Sequence, residues 1–148
     1  MSKSDTFEND MMLLLFNNTA ITNIGDAGGL RATAVAGSLY WSLHTADPGD
    51  AGTAVTSETA YTGYIRVAAA RASGAGGFTV TGNSVSPPAN IDFAECTAAA
   101  GGPITHFGIV NTSSGAGKLL YSGTMTPNQT MAVGVIPRIK TTSTITED

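Results

Sequence analysis

The chain has 148 residues, of which 12% are charged and 42% hydrophobic, with 18 glycines and a formal net charge of -4. That length suits one domain able to bury a core without disulfides, and the apolar content excludes an intrinsically disordered chain. The basic residues Lys3, Arg31, Arg66, Arg71, Lys118, Arg138 and Lys140 are scattered, which argues against direct nucleic-acid binding, and no run approaches the ~20 apolar residues of a membrane span.

Asp5 followed by Glu8 has the pattern of a helix N-cap and its N3 partner, and Phe7, Met11, Leu14 and Leu15 then share a helical face. A short helix is predicted over about residues 6–17, ending at Asn17 and Asn18. Asp5, Glu8 and Asp10 in front of the apolar run have the wrong sign for a signal peptide, so synthesis in the cytoplasm is expected. The stretch to Gly37 is too rich in Gly, Ala and Thr for a long element. Leu39, Trp41 and Leu43 alternate with Tyr40, Ser42 and His44, the pattern of a strand with one face in a core. Further strands are expected at Tyr61–Arg71, Phe78–Thr81, Asn90–Phe93, Thr105–Val110, Leu119–Gly123, Gln129–Val133 and Pro137–Ile145, with Tyr40, Trp41 and Phe107 in the core. Between them lie "DPGDAG", "SGAGG", "SPPAN", "AAAGGP" and "SSGAG", the turn chemistry of antiparallel sheets. "FGIVNTSSGAGKLLYSG" is the clearest hairpin. The fold expected is mainly β, an antiparallel β-sandwich or jelly roll of about eight strands with a short N-terminal helix. An arm and helix would occupy residues 1–18, and a single β-sandwich domain residues 19–148.

Chemistry is harder to find. Gly117-Lys118 is preceded by Thr112 where a phosphate loop needs its first Gly, is followed by Leu119, and lies between strands, so it is a turn. Zinc would have to be held by His44, His106 and Asp47 or Asp50, and nothing in their spacing demands it; Pro48 and Gly49 already account for a turn there. Cys96 is the single cysteine and reads as a small core residue. Glu58, Asp92 and Glu95 offer carboxylates for glycoside cleavage, but Glu58 reads more simply as a solvated loop residue and Asp92 as a strand residue facing outward. Tyr61, Tyr64 and Phe78 could form a sugar-stacking platform; the favoured reading puts these rings in a core, with Arg66 paired or stacked over Tyr64. No catalytic residue, cofactor or metal site is assigned, and an enzyme is not expected. A surface made of Thr, Ser, Ala and Gly, poor in charge, suggests coverage by other chains.

The ordered phrases "LLFNNTA", "LYWSLHTADPG", "YTGYIRVAAAR", "ITHFGIVNTSSGAGKLLYSG" and "TSTITED" closely resemble a family of small tailed-bacteriophage virion proteins, often labelled tail fibre protein. The resemblance covers about residues 10–148 and also points to head cement or decoration proteins with a jelly-roll fold; "LHTADPG" and "THFGI" are its specific parts. It implies a non-enzymatic virion structural protein. The leading expectation is a capsid cement protein on the outer surface of the head that binds the major capsid protein and itself, as a homo-dimer or homo-trimer. Met11, Leu14, Leu15 and Phe16 would be its partner-binding residues. The alternative is a tail or tail-fibre component, with host glycan as its candidate contact. A hydrolase using Glu58 or Glu95 is a third reading.

Overall fold

The first helix begins one residue earlier than the Asp5 and Glu8 pattern suggests. In a computed structural model describing residues 2–25, 28–99 and 101–147, α1 spans Asp5–Asn17, and Ser4 is its N-cap, accepting from the Phe7 N–H at 3.4 Å. Asn18 closes it in the left-handed region, where a short polar side chain is tolerated. The buried line is Glu8, Met12 and Phe16, whereas Phe7, Leu14 and Leu15 are half-buried and Met11 is exposed. Helical spacing alone cannot fix this rotation, which distant partners set. Phe16 packs edge-on against Phe78 with ring centroids 4.9 Å apart, and Arg71 donates to the Leu14 and Leu15 carbonyls, each at 2.7 Å.

The chain divides into two units. The first comprises the described residues of 1–38, 69–90 and 140–148. It contains α1 and an antiparallel sheet ordered β3-β4-β9, from β3 (Thr79–Thr81), β4 (Ser84–Ser86) and β9 (Ile145–Thr146), with α1 packed on β3 and β4. Met12, Phe16, Ile21, Ala69, Phe78, Val85 and Ile145 are among its buried apolar residues. The second unit, residues 39–68 and 91–139, contains nearly all of β1 (Ser38–His44), with β6 (Ile104–Val110) and β7 (Leu119–Gln129). The sheet order is β2-β1-β6-β7, where β2 (Val67–Ala70) runs on into the first unit. A separate pair joins β5 (Ile91–Asp92) to β8 (Arg138–Ile139).

The described residues therefore form a mainly β protein with antiparallel sheets and one N-terminal helix, in nine strands rather than about eight. The predicted hairpin is the β6–β7 pair, with Phe107 opposite Gly123. A Cβ on Gly123 would lie 2.8 Å from the Phe107 ring, so that position has to be glycine for the ring to lie across the strand. Several expected strands are shorter. Tyr61–Arg71 is extended only at β2, because Tyr64 and Arg66 belong to a polar cluster described below. Pro137–Ile145 splits into β8 and β9 around a turn at residues 141–142. Residues 129–133 are no separate strand: β7 continues to Gln129 and the chain then turns, with the Val135 N–H on the Ala132 carbonyl. β1 is also buried on both faces from Trp41 to His44, not on one. Trp41 and Phe107 are in the core, 5.8 Å apart between ring centroids, while Tyr40 is half-buried.

Candidate functional site around Arg66

The chain that follows β1 returns to pair with its C-terminal end and brings Thr56 to the buried His44 side chain. After His44 the backbone makes an excursion and returns, with Thr45 N–H on the Ser57 carbonyl at 2.8 Å and Thr59 N–H on the Leu43 carbonyl at 2.9 Å. That return lays Glu58 against His44 and brings it to Arg66, whose side chain is only 2% exposed. Glu58 is the acid closest in sequence to Arg66. Its side chain is 15% exposed, which corrects its reading as a solvated loop residue.

The guanidinium makes a two-point contact with this carboxylate, Nε to Oε1 at 2.7 Å and Nη2 to Oε2 at 2.8 Å. Nη1 donates to the carbonyl and hydroxyl of Thr112, both at 3.0 Å, and Nη2 reaches the Ala54 carbonyl at 3.2 Å and the Gly115 carbonyl at 3.0 Å. Tyr64 adds a relay: its hydroxyl accepts from the Leu43 N–H at 3.1 Å and donates to Glu58 at 2.8 Å. One cation thus ties the excursion after β1 to the β6–β7 loop, and Tyr64 links its carboxylate partner to β1. Hydrogen bonding to Glu58 raises the Arg66 pKa further, and burial pushes the Tyr64 phenol well above its usual range, so neither changes charge near neutrality. Every guanidinium N–H has an acceptor inside the fold, leaving none for an external carboxylate or phosphate. Beside the cluster, Tyr64, exposed Ile65 and the 113–115 turn line a recess of about 230 Å³.

The stretch from Leu39 to Gly52 holds the other candidates. His44 is fully buried; its Nδ1 lies 2.8 Å from the Thr56 carbonyl and so carries the proton, while Nε2 accepts from the Ser42 hydroxyl at 2.9 Å. Burial lowers its pKa below the usual 6.5, outweighing the Thr56 carbonyl and the charge of Glu58. Gly108 makes the room, since a Cβ there would stand 2.7 Å from Ser42 Oγ and 2.8 Å from His44 Nε2. His44 and His106 do face each other in the β1–β6 register, yet His106 Nδ1 is bonded to the Thr105 hydroxyl at 2.8 Å. Asp47 instead accepts from the Gly49 N–H at 2.9 Å across Pro48 and shapes its own turn. Among the described residues no three His, Cys, Asp or Glu side chains are grouped to hold a metal ion.

The remaining candidates are dispersed. Asp92 faces outward and pairs with Arg138 across β5 and β8, Glu95 is exposed, and Cys96 is buried. Tyr61 and Phe78 are buried, so neither offers a face for sugar stacking. Burial pushes the Tyr61 phenol up to about 12. Of the four apolar partner-binding candidates, Met11 is exposed, Leu14 and Leu15 are half-buried, and Phe16 has no exposed surface. Sequence reasoning set Arg66 against Tyr64 but missed its carboxylate partner Glu58, and also Thr112 and Gly115, which lie 46 and 49 residues away.

A family model for the podophage GP4 fiber I protein gp80 matches residues 2–147. The chain belongs to this gp80 fibre family. No curated protein matches the sequence. Membership makes the chain a podophage virion fibre protein and overturns the expectation of a head cement protein bound to the major capsid protein. The match runs from α1 through β9, so both units and the Arg66 cluster are parts of a fibre-family sequence. The correction has a physical reason: a β-rich surface with little charge suits any packed position in a virion, and cannot tell head from tail.

Proposed function

We propose that this chain is a non-enzymatic structural component of a podophage tail fibre, a rigid β module whose work is to be held in place and to hold its neighbours. The observation that carries the reading is the family match over residues 2–147. The chemistry of Arg66 and Glu58 supports it. These are the groups an enzyme would use, and here each is engaged by the fold itself, the guanidinium by Glu58, Thr112, Ala54 and Gly115, the carboxylate by Arg66 and Tyr64. A buried, fully hydrogen-bonded cluster fixes backbone geometry, as a module under load between particle and host surface requires.

Gold-labelled antibody against the purified chain, applied to intact virions, should decorate the tail fibres in a few copies per particle. Label spread over the head lattice would refute the placement. Incubating the chain with host envelope material should release no soluble sugar or peptide; release that disappears in Glu58→Gln would refute the non-enzymatic part.

A further inference from the structure

We infer that the recess beside the Arg66 cluster is a binding site for a neutral, hydroxyl-bearing ring, the chemistry of a single sugar residue. Its walls are held by the buried guanidinium. Nη1 donates to the carbonyl and hydroxyl of Thr112 and Nη2 to the carbonyl of Gly115, so the two residues flanking Ser113 and Ser114 are pinned to a side chain only 2% exposed. The same guanidinium, with the Tyr64 hydroxyl, fixes the Glu58 carboxylate. A turn held at both ends keeps its two serines in place before any ligand arrives, and little ordering entropy is then lost on binding.

The lining selects the ligand by what it offers and what it withholds. Glu58 Oε2 accepts one hydrogen bond, from Arg66, and has a lone pair left; the side chain is 15% exposed at the recess. Ser113 and Ser114 are exposed and make no hydrogen bond among the described residues, so their hydroxyls and N–H groups are free to meet a ligand. Next to these polar groups Ile65 lines the recess, 66% exposed. Hydrogen-bonding groups beside an aliphatic surface match a sugar, which carries hydroxyls around its rim and C–H groups on its face. An anion would meet Glu58 and find no free guanidinium N–H, and a cation would have to draw Glu58 away from Arg66. The volume of about 230 Å³ lies below the ~300–1,000 Å³ of clefts that enclose drug-sized ligands, so one ring fits and a chain would run out into solvent.

Amide chemical shifts of the full chain, titrated with the methyl glycosides of glucose, galactose, mannose, rhamnose and N-acetylglucosamine, test this wherever the protein sits in the virion. At least one glycoside should move the Ile65, Ser114 and Gly115 amides saturably, with half-saturation on the order of 1–10 mM for so small a ligand. Ile65→Ser should weaken that binding about fivefold by removing the aliphatic surface, while Val133→Ser, at an equally exposed position elsewhere, should leave it unchanged. Inorganic phosphate and methylammonium should leave the same amides where they are. No glycoside moving these amides, Ile65→Ser binding as the wild type does, or a saturable shift from either ion would each overturn the proposal. Should Ile65→Ser fold poorly, Ser114→Val carries the same comparison. Polysaccharide from the host envelope, added last, separates the two sources of such a ring. The same shifts at a lower sugar concentration would assign the site to a surface glycan, and shifts from the glycosides alone would assign it to a free sugar.

Discussion

Arg66 in the second unit and Arg71 in the first each gather groups far away in sequence around one guanidinium. Arg66 is held by a carboxylate, three backbone carbonyls and the Thr112 hydroxyl, whereas Arg71 meets carbonyls and the Thr33 hydroxyl but no carboxylate among the described contacts. The Arg71 carbonyls are those of Leu14 and Leu15 in the last turn of α1, which has no basic residue of its own, and that of Ala36. Its charge therefore answers the partial negative charge of a helix end. The two arrangements fail differently. Removing Arg66 strands a full charge in a nearly closed site, while removing Arg71 leaves carbonyls that water can reach by fraying one turn of helix.

The sharpest way to break the contrast is Arg66→Met, which leaves Glu58 without its cation and should cost about 3–5 kcal/mol in urea-induced unfolding. Arg66→Met combined with Glu58→Gln should lose less than Arg66→Met alone, because the second change removes the stranded charge. A double variant no more stable than the single one would show that the carbonyl contacts, not the ion pair, dominate.

How much of this was legible follows the distance over which each signal acts. α1, β1 and the β6–β7 hairpin were readable, because periodicity and turn residues are local properties of a few neighbours. The rotation of α1 was not, since Phe78 and Arg71 decide it from more than 50 residues away. The surroundings of Arg66 were legible only at Tyr64, which the strand spacing puts on the same face; Glu58, Thr112 and Gly115 reach it only through the tertiary fold. β4 was hidden because its three residues, Ser84–Ser86, are too short to show alternation. Family phrases were legible as phage virion sequence, and the head placement drawn from them was wrong because surface composition does not report position in a particle.

Arg71→Met should have the next largest effect, about 1–2 kcal/mol from lost contacts at a helix end. Its signature is local: amide hydrogen exchange should quicken over Met12 to Asn17 while β1 and β6 keep their protection. Uniform loss of protection in both units would mean that Arg71 acts on the whole fold, as Arg66 does.

His44 sharpens the comparison by adding pH, since it lies beneath the returning chain that carries Glu58. Its folded pKa is below the ordinary 6.5, so the unfolded chain binds more protons between the two values. The stability this group contributes is complete above about pH 6.5 and is lost as pH falls towards the native value. Thermal midpoints from about pH 7.5 to about pH 5.5 should therefore drop more steeply for the wild type than for His44→Gln. Equal slopes would assign acid sensitivity to other groups.

Arg138 completes the series at its weak end. It pairs with Asp92 across β5 and β8, but both side chains are about half exposed, 51% and 48%. Hydrogen bonding holds the Asp92 carboxyl below its usual value, yet water and salt screen an exposed pair and its ordering costs side-chain entropy. Asp92→Asn should leave the unfolding midpoint unchanged within error, at low salt and at high salt alike. The three arginines then rank by how far each partner is cut off from water, and a large loss at Asp92 would show that charge pairing by itself, regardless of burial, decides stability in this chain.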